Sequence, residues 1–169
     1  MKKYPFVWFS LFLALAVWAC SKDEDSTTLH IRLTDGPGDF QQVNVDIQEV
    51  VLKLAKDTSK WQTLPTNAGI YNLLDFQNGV DTLLASGTVS TDVLKEVRLV
   101  LGSNNTVMVD SVIYNLETPS AEQSGLKIKV DKSLAISLDS LTLDFDAEQS
   151  IVKNGNGTYI LKPVIKVKN

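Results

Sequence analysis

Residues 43–54 read Val43-Asn44-Val45-Asp46-Ile47-Gln48-Glu49-Val50-Val51-Leu52-Lys53-Leu54. Apolar side chains occupy the odd positions as far as Ile47 and the even positions from Val50 onward. An alternation of period two is the mark of a strand with one face buried. Moving the buried set by one residue turns the strand over, unless an extra residue is accommodated in a bulge. The stretch therefore predicts one long strand with a bulge near Gln48-Glu49.

The same alternation recurs along the chain. Leu29, Ile31 and Leu33 alternate with His30 and Arg32, and Val97, Leu99 and Leu101 with Glu96, Arg98 and Val100. Leu126, Ile128 and Val130 alternate with Lys127 and Lys129, and Leu141, Leu143 and Phe145 with Thr142, Asp144 and Asp146. Ile31, Val45, Leu99, Ile128 and Leu143 are thus expected in the core. A last strand is expected over Tyr159–Val167, with Pro163 demanding an edge or a bulge. Gly36-Pro37-Gly38, Asn78-Gly79 and Asn154-Gly155-Asn156-Gly157 are turn signals, and Asp110-Ser111 marks a tight hairpin. Asp146–Ser150 has room for a single helical turn, and Thr82–Ala85 is ambiguous. Short strands with spaced turns and no long amphipathic helix indicate a single all-β sandwich, of about seven or more strands by the usual count.

The N-terminus has a different character. Lys2 and Lys3 precede an apolar run of 14 residues, Phe6 to Ala19, and then Cys20, the only cysteine of the 169 residues. The run falls short of the roughly 20 residues that span a bilayer. A basic segment, an apolar segment and a small residue make a secretory signal. A cysteine directly after it resembles a bacterial lipobox, in which the cysteine takes the lipid and becomes the mature N-terminus. A cleaved signal without lipid would instead leave an unpaired thiol in an oxidising compartment. The expected organisation is a signal peptide over 1–19, a lipidated Cys20 and tether over 20–27, and a sandwich over 28–169. Lys22-Asp23-Glu24 resembles the export signal that Bacteroidota lipoproteins carry just after the cysteine. That resemblance implies an outer-membrane lipoprotein displayed on the cell surface. A solvated tether accounts for the same charges.

The formal charge of the chain is −4, and loss of Lys2 and Lys3 makes it −6. Such a balance argues against nucleic acid as a partner. The expected partners are the membrane, through the anchor, and a protein or glycan.

Leu33-Thr34-Asp35-Gly36-Pro37, Asn78-Gly79-Val80-Asp81-Thr82-Leu83-Leu84 and Arg98-Leu99-Val100-Leu101 follow one another along the chain. Ser124-Gly125-Leu126-Lys127, Leu143-Asp144-Phe145-Asp146-Ala147 and Leu161-Lys162-Pro163-Val164-Ile165 come after them. In this order they resemble domain-of-unknown-function family 4382, found mainly in bacterial lipoproteins. The resemblance implies a β-sandwich of the immunoglobulin or transthyretin-like kind, and it implies no activity.

Catalytic signatures are missing from the sequence. His30 is the only histidine, no Gly-x-Ser-x-Gly elbow occurs, and no Cys/His set suits zinc. No cofactor is expected. Asp35 and Asp39 flank the Gly-Pro-Gly loop, and Asp144 and Asp146 share a strand face, so these four are candidate calcium ligands. Pairing with the two arginines, Arg32 and Arg98, explains the aspartates without metal. Asp144 or Asp46 is the expected partner of Arg98. Trp61, Tyr71, Tyr114 and Tyr159 are candidates for a sugar-stacking platform, although aromatics in a sandwich also serve the core. Ser26, Thr82, Ser111 and Ser140 each follow an aspartate, resembling the Asp-Ser/Thr-aliphatic acceptor of Bacteroidota O-glycosylation. Asp-Ser pairs also start turns.

The anchor reading is directly testable by fractionation. Cys20→Ala is expected to release the protein from membranes. Replacing Lys22, Asp23 and Glu24 together with Ala is expected to leave it anchored but shielded from protease added to whole cells.

Overall fold

The structure, a computed structural model, describes residues 25–56, 60–118 and 125–168. Residues 42–54 form one strand, β2 (Gln42–Leu54), on which the larger of two sheets is built. Its bulge falls where the phase changes. Ile47 pairs with Leu101 and Glu49 with Val100, so Gln48 is skipped. Val43, Val45 and Ile47 before the bulge and Val50 and Leu52 after it are all fully buried.

The remaining strands are β1 (Ser26–Thr34), β3 (Gln62–Leu64), β4 (Gly69–Asn72), β5 (Thr82–Ser90), β6 (Val93–Leu101), β7 (Thr106–Val109) and β8 (Val112–Glu117). They continue with β9 (Leu126–Ser133), β10 (Ser137–Phe145), β11 (Ile151–Lys153), β12 (Tyr159–Leu161) and β13 (Ile165–Lys168). A 3-10 turn covers Leu73–Phe76, and one helical turn, α1 (Ala147–Ser150), precedes β11. The larger sheet runs β11-β12-β8-β7-β2-β6-β9, with β3 and β4 also paired to β2. The smaller runs β13-β10-β1-β5. Between them lies a single apolar core, to which Leu29, Ile31, Leu33, Leu84, Leu141, Leu143 and Phe145 contribute from the smaller sheet. The fold is a β-sandwich, and Ile31, Val45, Leu99, Ile128 and Leu143 are buried as their phases predict. β1 starts at Ser26, and Thr27 is already buried, so strand pairing begins two residues before the expected boundary at 28.

The turns follow the local chemistry. Asp110 and Ser111 both take positive φ, 51° and 64°, and join β7 to β8 as a two-residue hairpin. Asn78 and Gly79 also take positive φ, in a turn before β5 closed by the Val80 N–H on the Gln77 carbonyl at 3.1 Å. Asp146 caps α1, its Oδ1 accepting the Gln149 N–H at 3.0 Å. Thr82–Ala85, ambiguous in sequence, is strand.

The expected strand over Tyr159–Val167 is two strands. β12 lies in the larger sheet and β13 in the smaller, and the chain changes sheet at Lys162-Pro163-Val164. Pro163 has no N–H for a ladder, and buried Ser150 takes up the polar groups on either side of it. The Ser150 carbonyl accepts the Lys162 N–H at 2.7 Å, and its hydroxyl accepts the Val164 N–H at 2.8 Å. Asp146 also leaves the expected strand, since β10 ends at Phe145.

Asp46 holds the break between β6 and β7. These strands pair with one edge of β2, β7 over Gln42–Asn44 and β6 over Ile47–Leu54. The loop between them folds over Asp46, leaving it 2% exposed. Its carbonyl accepts the Gly102 N–H at 2.8 Å, and its N–H donates to Asn105 Oδ1 at 2.9 Å. Its Oδ2 accepts the Asn104 N–H at 3.2 Å and the Asn104 amide at 3.0 Å, and its Oδ1 accepts the Gln48 amide. A Cβ on Gly102 would sit 2.6 Å from Asp46 Cγ. Gly102→Ala is therefore expected to cost about 1–3 kcal/mol through overpacking. Asp46→Ala is expected to cost about 2–3 kcal/mol through stranded donors. Urea unfolding midpoints measure both.

Candidate functional site

Of the candidate acidic residues, Asp35 and Asp146 hold backbone N–H and amide donors and Asp144 lies against a lysine, while Asp39 contributes its main chain. Asp35 directly follows β1, 2% exposed, where Oδ1 accepts the Ala147 N–H at 2.9 Å and Oδ2 accepts the Gln77 amide at 3.1 Å. Burial pushes its carboxyl above the ordinary aspartate value. The Ala147 and Gln77 donors oppose this, and the charges of Asp144 and Asp146 add to it. Asp39 donates its N–H to Glu148 Oε2 at 3.1 Å. Asp144 Oδ2 lies 3.2 Å from Lys168 Nζ, and Asp146 caps α1. Among the described residues no three His, Cys, Asp or Glu side chains converge as metal ligands.

The arginines divide. Arg32 on β1 pairs with Asp81, its Nε 2.7 Å from Asp81 Oδ1, across the start of β5. Arg98 pairs with neither Asp46 nor Asp144, contrary to the shared-phase expectation. Its guanidinium carbon lies 3.7 Å from the centroid of the Trp61 ring, with Lys53 Nζ 5.6 Å from the same ring. The register explains the correction. Arg98 is opposite Val51 of β2 and Lys127 of β9, which puts it on the outer face of the larger sheet beside Trp61 and far from β10. Its stem runs past Gly125, where a Cβ would come within 2.7 Å of Arg98 Cγ. A cation over the indole face replaces the ion pair.

Stacking by Arg98 also occupies one face of Trp61. The other candidate aromatics are elsewhere. Tyr71 packs on Phe76 at 6.2 Å between centroids, and Tyr114 on Tyr159 at 4.9 Å. Tyr159 is buried, with Lys153 Nζ 5.4 Å from its ring. The four aromatics form no common platform.

His30 is half-buried on the outer face of the smaller sheet, between Ser86 and Ser140 in register. No hydrogen bond links it to either serine, so no nucleophile–base pair forms there. Ser26 and Ser140 are exposed within strands, Thr82 is half-buried at the start of β5, and Ser111 is exposed at the β7–β8 tip. The aspartates beside them differ in use: Asp81 holds Arg32 and Asp139 holds a loop, while Asp110 is part of the tip turn. Cys20, Lys22, Asp23 and Glu24 lie outside the described residues.

An apolar strip on β8 was not singled out from sequence. Val112, Ile113 and Tyr114 are 49%, 60% and 37% exposed, next to Met108 and Val109 of β7. Unbroken apolar character over Val112-Ile113-Tyr114, instead of alternation, was the available signal. The strip has a definite place. Ser26 pairs with Ser90, and β6 begins three residues later, pairing Leu94 with Leu54 of β2. That end of the sandwich also carries the β9–β10 loop. The β7–β8 tip is at the other end, where the Ser111 N–H donates to Gln41 Oε1 at 2.7 Å.

Asp139 is the clearest case of a carboxylate used by the fold. It accepts from Lys132 Nζ at 2.7 Å, the Ala135 N–H at 2.8 Å and the Ser140 N–H at 2.7 Å. Burial works against its charge, but these donors and the Lys132 charge prevail and lower its pKa. A carboxyl lowered in the folded state contributes stability above the ordinary aspartate pKa and loses it as pH falls through the folded value. Asp139→Asn is thus expected to cost about 1–2 kcal/mol at neutral pH and almost nothing in strong acid, measured by urea unfolding at both.

Neither a curated protein nor a solved structure matches the chain. A family model described as a domain of unknown function, DUF4382, matches residues 26–163, from the first residue of β1 to the proline where the chain changes sheet. With most of its length covered by that model, the chain belongs to the DUF4382 family.

Proposed function

We propose that the protein is a lipid-anchored, surface-exposed, non-catalytic β-sandwich that binds a macromolecule or a glycan. The observation that carries this reading is the exposed Val112-Ile113-Tyr114 strip on β8, at the end of the sandwich opposite Ser26. Val112 and Tyr114 turn to one face of β8 and Ile113, opposite Met108, to the other; exposed aliphatic, tyrosine and methionine side chains at one strand end are the composition of recognition surfaces. A chain held through Cys20 presents that strip away from the membrane. Lys22-Asp23-Glu24 supports an outer-membrane lipoprotein facing outward, and the Bacteroidota-type origin rests on the same residues. Ser111, exposed beside the strip, is the proposed acceptor for an O-glycan. The use of acidic side chains by backbone and lysine favours binding over catalysis.

The second reading is a structural envelope module that assembles without a specific ligand. It is favoured by β13, at the edge of the smaller sheet and, among the described residues, paired with β10 alone. A photo-crosslinking residue in place of Ile113, used in intact native cells, separates the two. Binding is expected to give discrete non-self adducts, to protein or to glycan, that Tyr114→Ser weakens several-fold. Adducts to the protein itself alone would establish assembly, and none at all would remove the strip from the function.

A further inference from the structure

The β9–β10 loop departs from the other turns in composition. The tips at 78–79, 110–111 and 154–157 consist of Asn, Gly, Asp and Ser. The β9–β10 turn and the start of β10 expose Ile136 and Leu138 instead, at 65% and 59%, and no other large apolar side chain among the described residues is more exposed than Ile136. The loop is firmly built. The Leu138 N–H donates to the Ile136 carbonyl at 3.0 Å across Ser137, whose φ is +75°. A non-glycine residue adopts that conformation only where its surroundings impose it. The three hydrogen bonds on Asp139 brace the chain on both sides of Ser137. Two exposed aliphatic side chains stand on this braced segment.

Their position gives them an occupant. Thr27 pairs with Ser137 and Thr28 with Leu138, so the turn lies beside the first residues of β1. The Asp25 carbonyl, immediately before β1, accepts the Thr91 N–H at 2.7 Å, which fixes where the chain enters the sandwich. Four residues, 21–24, separate Cys20 from Asp25. A chain of that length reaches at most about 18 Å. On the lipid-anchor reading, on which this inference rests, the turn is held at headgroup depth. Two lysines of this end are paired, Lys132 with Asp139 and Lys95 with Asp131 at 2.5 Å. The exposed side chains of the turn itself are aliphatic, so the contact is apolar insertion, the mode in which aliphatic side chains enter the interfacial layer.

We propose that Ile136 and Leu138 form a second membrane foot, inserting into the interfacial layer of a phospholipid bilayer beside the anchored N-terminus. The lipid alone is a pivot; the foot makes a second point of contact and sets the tilt of the sandwich.

The test uses the full chain, processed in a lipoprotein-producing host and reconstituted into phosphatidylethanolamine vesicles with a minor share of phosphatidylglycerol. An environment-sensitive fluorescent amino acid replaces Ile136, Leu138 or, as the distal control, Val112. The probes at 136 and 138 are expected to shift to the blue and to be quenched by a lipid-borne quencher several-fold more than the probe at 112. Probes at both positions as wet as at 112 would overturn the foot. Shielding that needs no vesicles and grows with protein concentration would identify a second copy as the occupant and overturn it equally. Intact mass reports the lipid on Cys20 separately. Lipid present with wet probes defeats the foot alone, and lipid absent with buried probes defeats the anchor alone. Lipid absent with wet probes defeats both.

Discussion

β2 serves four neighbours, two along each edge, and the larger sheet depends on its doing so without losing its buried face. One edge carries β7 and then β6, and the other carries β4 and then β3. Two strands in line on one edge need a break between them, and a break in a ladder strands backbone groups that water cannot reach. Asp46 resolves this. Its main chain and its carboxylate together take up the polar groups of the Gly102–Asn105 loop, and the bulge at Gln48 lies next to that loop. The gap at Asp46 thus divides one edge between β6, which leads to β9, and β7, which leads to β8 and β12.

Much of this was legible in the sequence because burial on one face writes itself into every second residue. β1, β2, β6, β9 and β10 carry clear alternation, and so did the phase change in β2. Asp110-Ser111 and Asn78-Gly79 announced their turns because few residue pairs tolerate positive φ together. What stayed hidden is what depends on neighbours. Arg98 shares a polar phase with Asp46 and Asp144, but phase says which side of a sheet a residue faces and not which strands lie beside it. Trp61 reached Arg98 because β3 and β6 flank the same stretch of β2. β3 and β4 are three and four residues long, too short to show a period. Pro163 was readable as an interruption, but not as a passage from one sheet to the other.

The carboxylates follow one pattern. Asp35, Asp46, Asp139 and Asp146 each accept at least one backbone N–H at a loop or cap. A carboxylate offers about four acceptor positions and no donor, which suits loops whose N–H groups point inward. In a sandwich with no disulfide among its described residues, such groups perform the fastening. Acidic character here reflects the joinery of loops, and the exposed apolar residues at the two ends are the features that the fold itself does not use.

The smaller sheet has a further consequence, in the order of events. β1 lies between β5 and β10, and its parallel partner β10 is about 110 residues away along the chain, as the pair Thr27 and Ser137 shows. β13, which covers the other edge of β10, comes last of all. A chain emerging from its N-terminus can pair β1 with β5 once Ser90 is made, but β10 follows only later. Sheets of such distant contacts fold slowly. The first strand made is therefore among the last to have both of its edges paired.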